Sequence, residues 1–152
     1  MTAKLPIFVK KILRTFNKNN FEIYIVGGAV RDLLMKREAH DWDFTTNAQP
    51  EKIRQLFPNS FYDNHFGTVG IVNPKEEKKK TYYGKPPIYE VTTFRKELGY
   101  TDRRRPDKVI WGKTLEEDLV RRDFTINAMA LQILNSKITL IDPHHGQKDL
   151  KR

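Results

Sequence analysis

Two aspartates one residue apart, Asp41 and Asp43, follow a glycine pair, Gly27-Gly28, with Arg31 and Asp32 between. Side chains alternate across an extended strand. Asp41 and Asp43 therefore point to one face of Asp41-Trp42-Asp43-Phe44, and Trp42 and Phe44 to the other. Paired carboxylates are hard oxygen ligands, and Mg2+ usually binds through one or two of them together with substrate phosphates. A glycine turn opening a helix presents unpaired backbone N–H groups and a positive dipole end to a phosphate. Taken singly, a Gly-Gly is a tight turn and an Asp-x-Asp a solvated edge. Joined by an arginine, they point to a nucleotide held with a divalent metal.

Such a site needs strand, turn, helix and strand in succession, and residues 23–46 read that way. Ile23 to Val26 is an apolar, β-branched run typical of a buried strand. Ala29 to Met35 reads as a short helix carrying Arg31 and Asp32, Asp41 to Phe44 as the second strand, and Thr45 to Gln49 as a loop. Upstream, residues 6–18 form an amphipathic helix with Phe8, Ile12 and Phe16 at four-residue spacing. Downstream, Pro50 suits the first turn of a helix running to Phe57, with Ile53, Leu56 and Phe57 inward. Phe66 to Val72 reads as a strand. The charged, proline-bounded stretch after it reads as a solvated hairpin loop, with a basic RNA-facing loop as the alternative.

Residues 87–94, PIYEVTTF, form a further strand. Glu90 within it is costly unless it faces water or a cation. Beside the aspartate strand it would be a third carboxylate; otherwise it pairs with Arg95. Arg103, Arg104 and Arg105 precede Pro106 in a loop that is either a solvated turn or a phosphate contact, for which arginine is suited. A short strand at Val109 to Trp111 leads to Thr114-x-x-Glu117, a capping box. The helix it opens turns Leu115, Leu119 and Val120 inward, breaks near Asp123-Phe124-Thr125, and continues from Ile126 to Leu131. Arg121, Arg122, Asp123 and Asn127 make a second polar cluster. Gln132 to Leu134 and Lys137 to Ile141 pair through Asn135-Ser136. His144 and His145 are adjacent, point apart, and read as turn residues.

The 152 residues suit one domain, 1–152, and 38% hydrophobic content permits a core. The net charge of +9 attracts polyanions, of which nucleic acid is the commonest soluble one. There is no cysteine, which excludes disulfides and thiolate metal sites. No signal peptide or membrane span is visible, so no membrane partner and a cytoplasmic location are expected.

The glycine and aspartate motifs, GG-x-V-R-D followed by D-x-D, resemble those of the class II tRNA nucleotidyltransferase (CCA-adding enzyme) and bacterial poly(A) polymerase family. That family belongs to the DNA polymerase beta superfamily. Its RRD-x-x-x-NA motif is matched by Arg121, Arg122, Asp123, Asn127 and Ala128. Its D-P-x-x-G-x-x-D-L motif is matched by Asp142, Pro143, Gly146, Asp149 and Leu150. The resemblance spans about residues 20–152, with the motifs in family order. It departs at Lys36, where a glycine is usual for a left-handed helix end, so either a mildly strained cap or a remodelled helix end is expected.

The resemblance implies an α+β nucleotidyltransferase head domain, with a mixed or antiparallel sheet of about five strands and helices packed on one side. It implies two Mg2+ ions held by Asp41 and Asp43, with Glu90 as a third catalytic carboxylate. Gly27, Gly28 and Arg31 would receive the triphosphate, while Arg121, Arg122, Asp123 and Asn127 contact ribose and phosphates. ATP and CTP are the implied substrates, and a tRNA 3′-hydroxyl the acceptor, with Arg103 to Arg105 on the RNA. The 103–105 loop stands where the family's loop for terminal adenosine addition stands. Poly(A) polymerase and an RNA-binding head needing a partner are the alternatives. The family's neck, with its base-selecting E-D-x-x-R motif, and its body and tail are expected to be missing here. Glu117-Asp118-x-x-Arg121 fits that pattern but precedes the RRD motif, and so reads as helix surface and capping.

Overall fold

The structure is a computed structural model and describes residues 4–63, 67–81, 84–96 and 110–152. Helix α1 (Ile7–Lys18) buries Phe8, Val9, Ile12, Leu13 and Phe16, the stripe its four-residue spacing demands. Strand β1 (Ile23–Val26) is buried along its whole length. Helix α2 (Gly28–Leu34) follows, then strand β2 (Asp43–Thr46) and helix α3 (Pro50–Leu56), which has Pro50 in its first turn. Strands β3 (Ser60–Tyr62), β4 (Thr68–Val72), β5 (Ile88–Thr93), β6 (Arg95–Lys96) and β7 (Ile110–Trp111) come next. Helix α4 (Leu115–Val120), a 3-10 turn at Thr125–Asn127, strands β8 (Ala130–Leu134) and β9 (Lys137–Ile141), and helix α5 (Gly146–Leu150) complete the order.

The main sheet runs β3-β4-β5-β2-β1-β8-β9, and β6 pairs with β7 apart from it. Among the described residues only the β2–β5 pairing within the main sheet is parallel, so the sheet is mixed, one of the two arrangements expected. It has seven strands rather than about five. One addition, β3, is three residues long with two of them exposed, too short to show alternation. Strand β8, expected over Gln132 to Leu134, starts earlier, at Ala130-Leu131, which the sequence suggested as helix. A short apolar run does not distinguish helix from strand by itself. Here Val26 and Ile25 of β1 pair with Ala130 and Leu131 and draw them into the sheet. Strand β2 likewise extends through Thr45 and Thr46, where a loop was expected, and both are fully buried.

Successive residues of β1 feed two separate cores. Ile23 and Ile25 join α1 and α3 side chains, with Phe16, Phe44, Trp42 and Ile53. Tyr24 and Val26 face Phe94, Leu115, Leu119 and Ala130. Fully burying each large apolar side chain contributes roughly 1.5–3 kcal/mol, so α4 holds the second face mainly through Leu115 and Leu119. Helices thus cover both faces rather than one. Val120, expected inward, is exposed, because the buried side of this short helix is Leu115, Asp118 and Leu119. At the β8–β9 hairpin Asn135 and Ser136 take φ of 47° and 65°, the two positive values a two-residue type I′ turn requires. Lys36 sits at φ 56°, the left-handed geometry expected where a glycine is usual.

Candidate active site

Strands β2 and β5 lie side by side with Asp43 in register with Glu90. The Glu90 N–H donates to the Trp42 carbonyl at 3.2 Å, extending the ladder just before β2. Trp42 and Phe44 are buried in the core under the sheet, which leaves Asp43 on the opposite face. Asp43 and Glu90 are half-buried, and Asp41 is exposed just ahead of the strand. Burial pushes the Asp43 carboxyl above the usual carboxylate range, opposed by Arg122 and by a hydrogen bond from Glu90, and reinforced by the charge of Asp41. A hydrogen bond shared with Asp63 is the largest influence on Glu90; burial and the charges of Asp43 and Asp63 add to it, pushing its pKa up to about 8. Glu90 thus sits among carboxylates.

Asp63 follows β3, in a stretch with nothing to single it out. Only cross-strand packing brings it to Glu90. Asp43, Glu90 and Asp63 thus bring three carboxyl groups together, and carboxyl oxygens are the donors that suit a divalent cation. Among the described residues no three acidic or histidine side chains close a metal cage. An open carboxylate pair suits Mg2+, which keeps positions for water and substrate phosphate.

The glycine turn touches this pair. Gly27 has φ 73° and ψ −147°, a conformation that side-chain-bearing residues rarely adopt. A Cβ there would stand 3.3 Å from Asp43 Oδ2, so the backbone passes directly against the carboxylate. The Arg31 guanidinium folds back over Gly28, and its Nε donates to Asp32 Oδ1 at 3.1 Å.

Arg122 comes within the field of Asp43 from just past the end of α4, and it shares a buried anchor with Arg121. Asp118 is 0% exposed. Its Oδ1 accepts from the Arg95 backbone N–H at 3.1 Å and from Arg121 Nε at 3.2 Å. Its Oδ2 accepts from Thr45 Oγ1 at 3.1 Å and from Arg122 Nε and Nη2 at 3.2 and 3.0 Å. The reading of Glu117-Asp118-x-x-Arg121 as helix surface and capping therefore holds only in part. Glu117 does cap: its N–H donates to Thr114 Oγ1 at 3.3 Å, and its Oε1 accepts from Lys113 N at 3.2 Å. Asp118 is interior, because the α4 face bearing Leu115 and Leu119 lies on the sheet. An Asp between two leucines at helical spacing was the available signal.

Asp123 is exposed just past α4, and Asn127 ends the 3-10 turn, which packs against α2. The last motif braces that turn. Asp142 accepts from the N–H groups of Gly146 and Gln147 at 2.7 and 2.9 Å, and Asp149 Oδ2 accepts from Thr125 Oγ1 at 2.5 Å. A Cβ on Gly146 would fall 2.2 Å from the Thr125 carbonyl oxygen. His145 caps α5 in a left-handed conformation, as a turn histidine would. Arg103, Arg104 and Arg105 lie outside the described residues. No helix among the described residues is long and apolar enough to cross a membrane.

Residues 23–152 match the family model described as Poly A polymerase head domain. The CCA-adding enzyme of Lactobacillus helveticus is 45% identical over 97% of this chain and 35% of its own length. The crystal structure of the Bacillus stearothermophilus CCA-adding enzyme in complex with CTP superposes with a TM-score of 0.75 at 36% identity, over 98% of this chain and 33% of that one. A tRNA nucleotidyltransferase complexed with a primer tRNA and an incoming ATP analog gives 0.63 at 30% identity, over 92% and 36%. The chain thus spans about a third of the length of these relatives. With both motifs converging on one sheet face and the family match running through all of them, the chain belongs to the poly(A) polymerase head-domain family, alongside the heads of CCA-adding tRNA nucleotidyltransferases.

Proposed function

We infer that this chain is the catalytic head of an RNA 3′-end nucleotidyltransferase that transfers CMP and AMP from CTP and ATP to tRNA. The observation that carries this reading is the Asp43–Glu90 pair, set against Gly27 and within the field of Arg122. In the reaction the RNA 3′-oxygen bonds to the α-phosphorus of the triphosphate. The bond from that phosphorus to the bridging oxygen breaks, pyrophosphate departs, and the hydroxyl proton is lost to solvent. Asp41 and Asp43 would hold two Mg2+ ions, with Glu90 on the side of the attacking hydroxyl. Bound there, Mg2+ supplies a lowered pKa for the attacking hydroxyl and charge stabilisation for the leaving pyrophosphate.

The chain's own groups do the positioning. Gly27 and Gly28 let the backbone approach the triphosphate, and Arg31, steadied by Asp32, adds positive charge. Arg121, Arg122, Asp123 and Asn127 receive ribose and phosphates. Arg103 to Arg105 are assigned to the RNA backbone. Base selection and most of the tRNA grip are assigned to helical regions that the longer relatives possess. A poly(A) polymerase reading is kept alongside, because the matching family carries that name.

The test is incubation of this chain with Mg2+, labelled ATP or CTP, and tRNA lacking its 3′ end. A defined short addition supports the CCA reading, and homopolymeric A tails identify the alternative. Absence of both transfer and Mg2+-dependent nucleotide binding would refute the site.

A further inference from the structure

We propose that Asp118 is a positioning residue for nucleotide binding: it fixes Arg121 and Arg122 to the strand that carries Asp43. This rests on the functional reading above and adds a residue to its machinery. A fully buried carboxylate is costly unless its oxygens are saturated by donors. Asp118 satisfies that condition with five, drawn from three places: both arginines, Thr45 on β2 and the backbone at Arg95 on β6. Thr45 lies two residues beyond Asp43 on the same strand and face, and its hydroxyl also reaches the Thr92 carbonyl on β5 at 3.2 Å. The same carboxylate that grips Arg122 therefore grips the Asp43–Glu90 strand pair. Arg122 in turn is close enough to Asp43 to draw its proton affinity down. Two flexible arginines are held in place before a phosphate arrives, which lowers the ordering cost of binding it.

The experiment is MgATP titration of the chain and its variants by calorimetry, with near-ultraviolet circular dichroism to confirm folding. Charge alone predicts that Asp118→Asn tightens binding, since it leaves two guanidinium groups with less neutralisation. Positioning predicts the opposite, a loss of about tenfold or more, the scale for a partner that orients a ligating group. In an Arg122→Gln background the same substitution should cost clearly less than in the wild-type chain, the remainder being its hold on Arg121, because the effects are not independent. Thr45→Val, which cuts the link from Asp118 to β2 together with the Thr45 contact to the Thr92 carbonyl and spares both arginine bonds, should cost about fivefold, and it decides the matter where Asp118→Asn does not fold. Unchanged or tighter binding in a folded Asp118→Asn, fully multiplicative losses in the double variant, or an unaffected Thr45→Val would overturn the proposal. A wild-type chain that binds no MgATP would refute the functional reading itself, and this proposal with it.

Discussion

Asp43 and Glu90 are register partners on neighbouring parallel strands, and the charge of Asp43 helps to keep Glu90 protonated near neutral pH. In the metal-free chain the proton on Glu90 lets it donate a hydrogen bond to Asp43, and a divalent cation at the pair would compete with that proton. Several properties of the molecule turn on this pair.

Replacing either aspartate of the motif should stop catalysis without unfolding the chain. Asp43→Asn removes a half-buried charge and Asp41→Asn an exposed one. Transfer of labelled nucleotide should fall by more than about a hundredfold in each, the scale for losing one charge-stabilising group. Melting temperatures in EDTA should stay level for Asp41→Asn and level or higher for Asp43→Asn. Near-normal transfer by Asp41→Asn would remove that residue from the metal site.

The metal-free chain should lose stability as pH rises. Glu90 has its folded pKa raised from 4.5 to about 8, so the folded state binds the proton more tightly than the unfolded state. Its contribution is fully present below about pH 4.5 and fades as pH climbs to about 8. Urea denaturation in EDTA should show this decline, and Glu90→Gln should flatten it. Added Mg2+ should stabilise more at pH 8 than at pH 5.5, since the cation competes with that proton.

Gly27→Ala tests the close passage of the turn. The substitution places a Cβ at positive φ and 3.3 Å from Asp43 Oδ2. It should destabilise the fold by about 1–2 kcal/mol, the cost of a left-handed residue with a side chain. Nucleotide affinity should fall beyond what that loss of folded protein explains, which titration of the folded fraction would reveal.

Lys36→Gly should act in the other direction. Lys36 is held at φ 56° at the end of the first helix after the glycine turn. Relief of that strain outweighs the entropy that glycine adds to the unfolded chain, leaving a net gain of about 0.5 kcal/mol. Chemical denaturation measures it, and nucleotide transfer should be unchanged.

Gly146→Ala should be severe, because Gly146 is the buried first residue of α5. The new methyl would overlap the Thr125 carbonyl, and overpacking of this kind costs typically about 1–3 kcal/mol. Because that contact braces the turn carrying Asn127, a thermal melt should fall together with nucleotide affinity.

The sequence by itself determined whatever is written locally. Helix α1 follows from the spacing of Phe8, Ile12 and Phe16, the capping box from Thr114 and Glu117, and the hairpin turn from Asn135-Ser136. The strain at Lys36 was legible from the residue type that usually fills such a cap. The glycine turn, the aspartate pair and the RRD motif could be recognised because each is a short pattern of fixed spacing. Only the tertiary structure decided the rest. Parallel pairing of β2 with β5 joins segments far apart in sequence, and that register places Glu90 beside Asp43. Asp63 enters through the pairing of β3 with β4, and Ala130-Leu131 becomes strand because β1 has an open edge to fill. Asp118 lies in a pattern that reads equally well as helix surface. Its burial depends on which side of a short helix meets the sheet, and long-range packing sets that orientation.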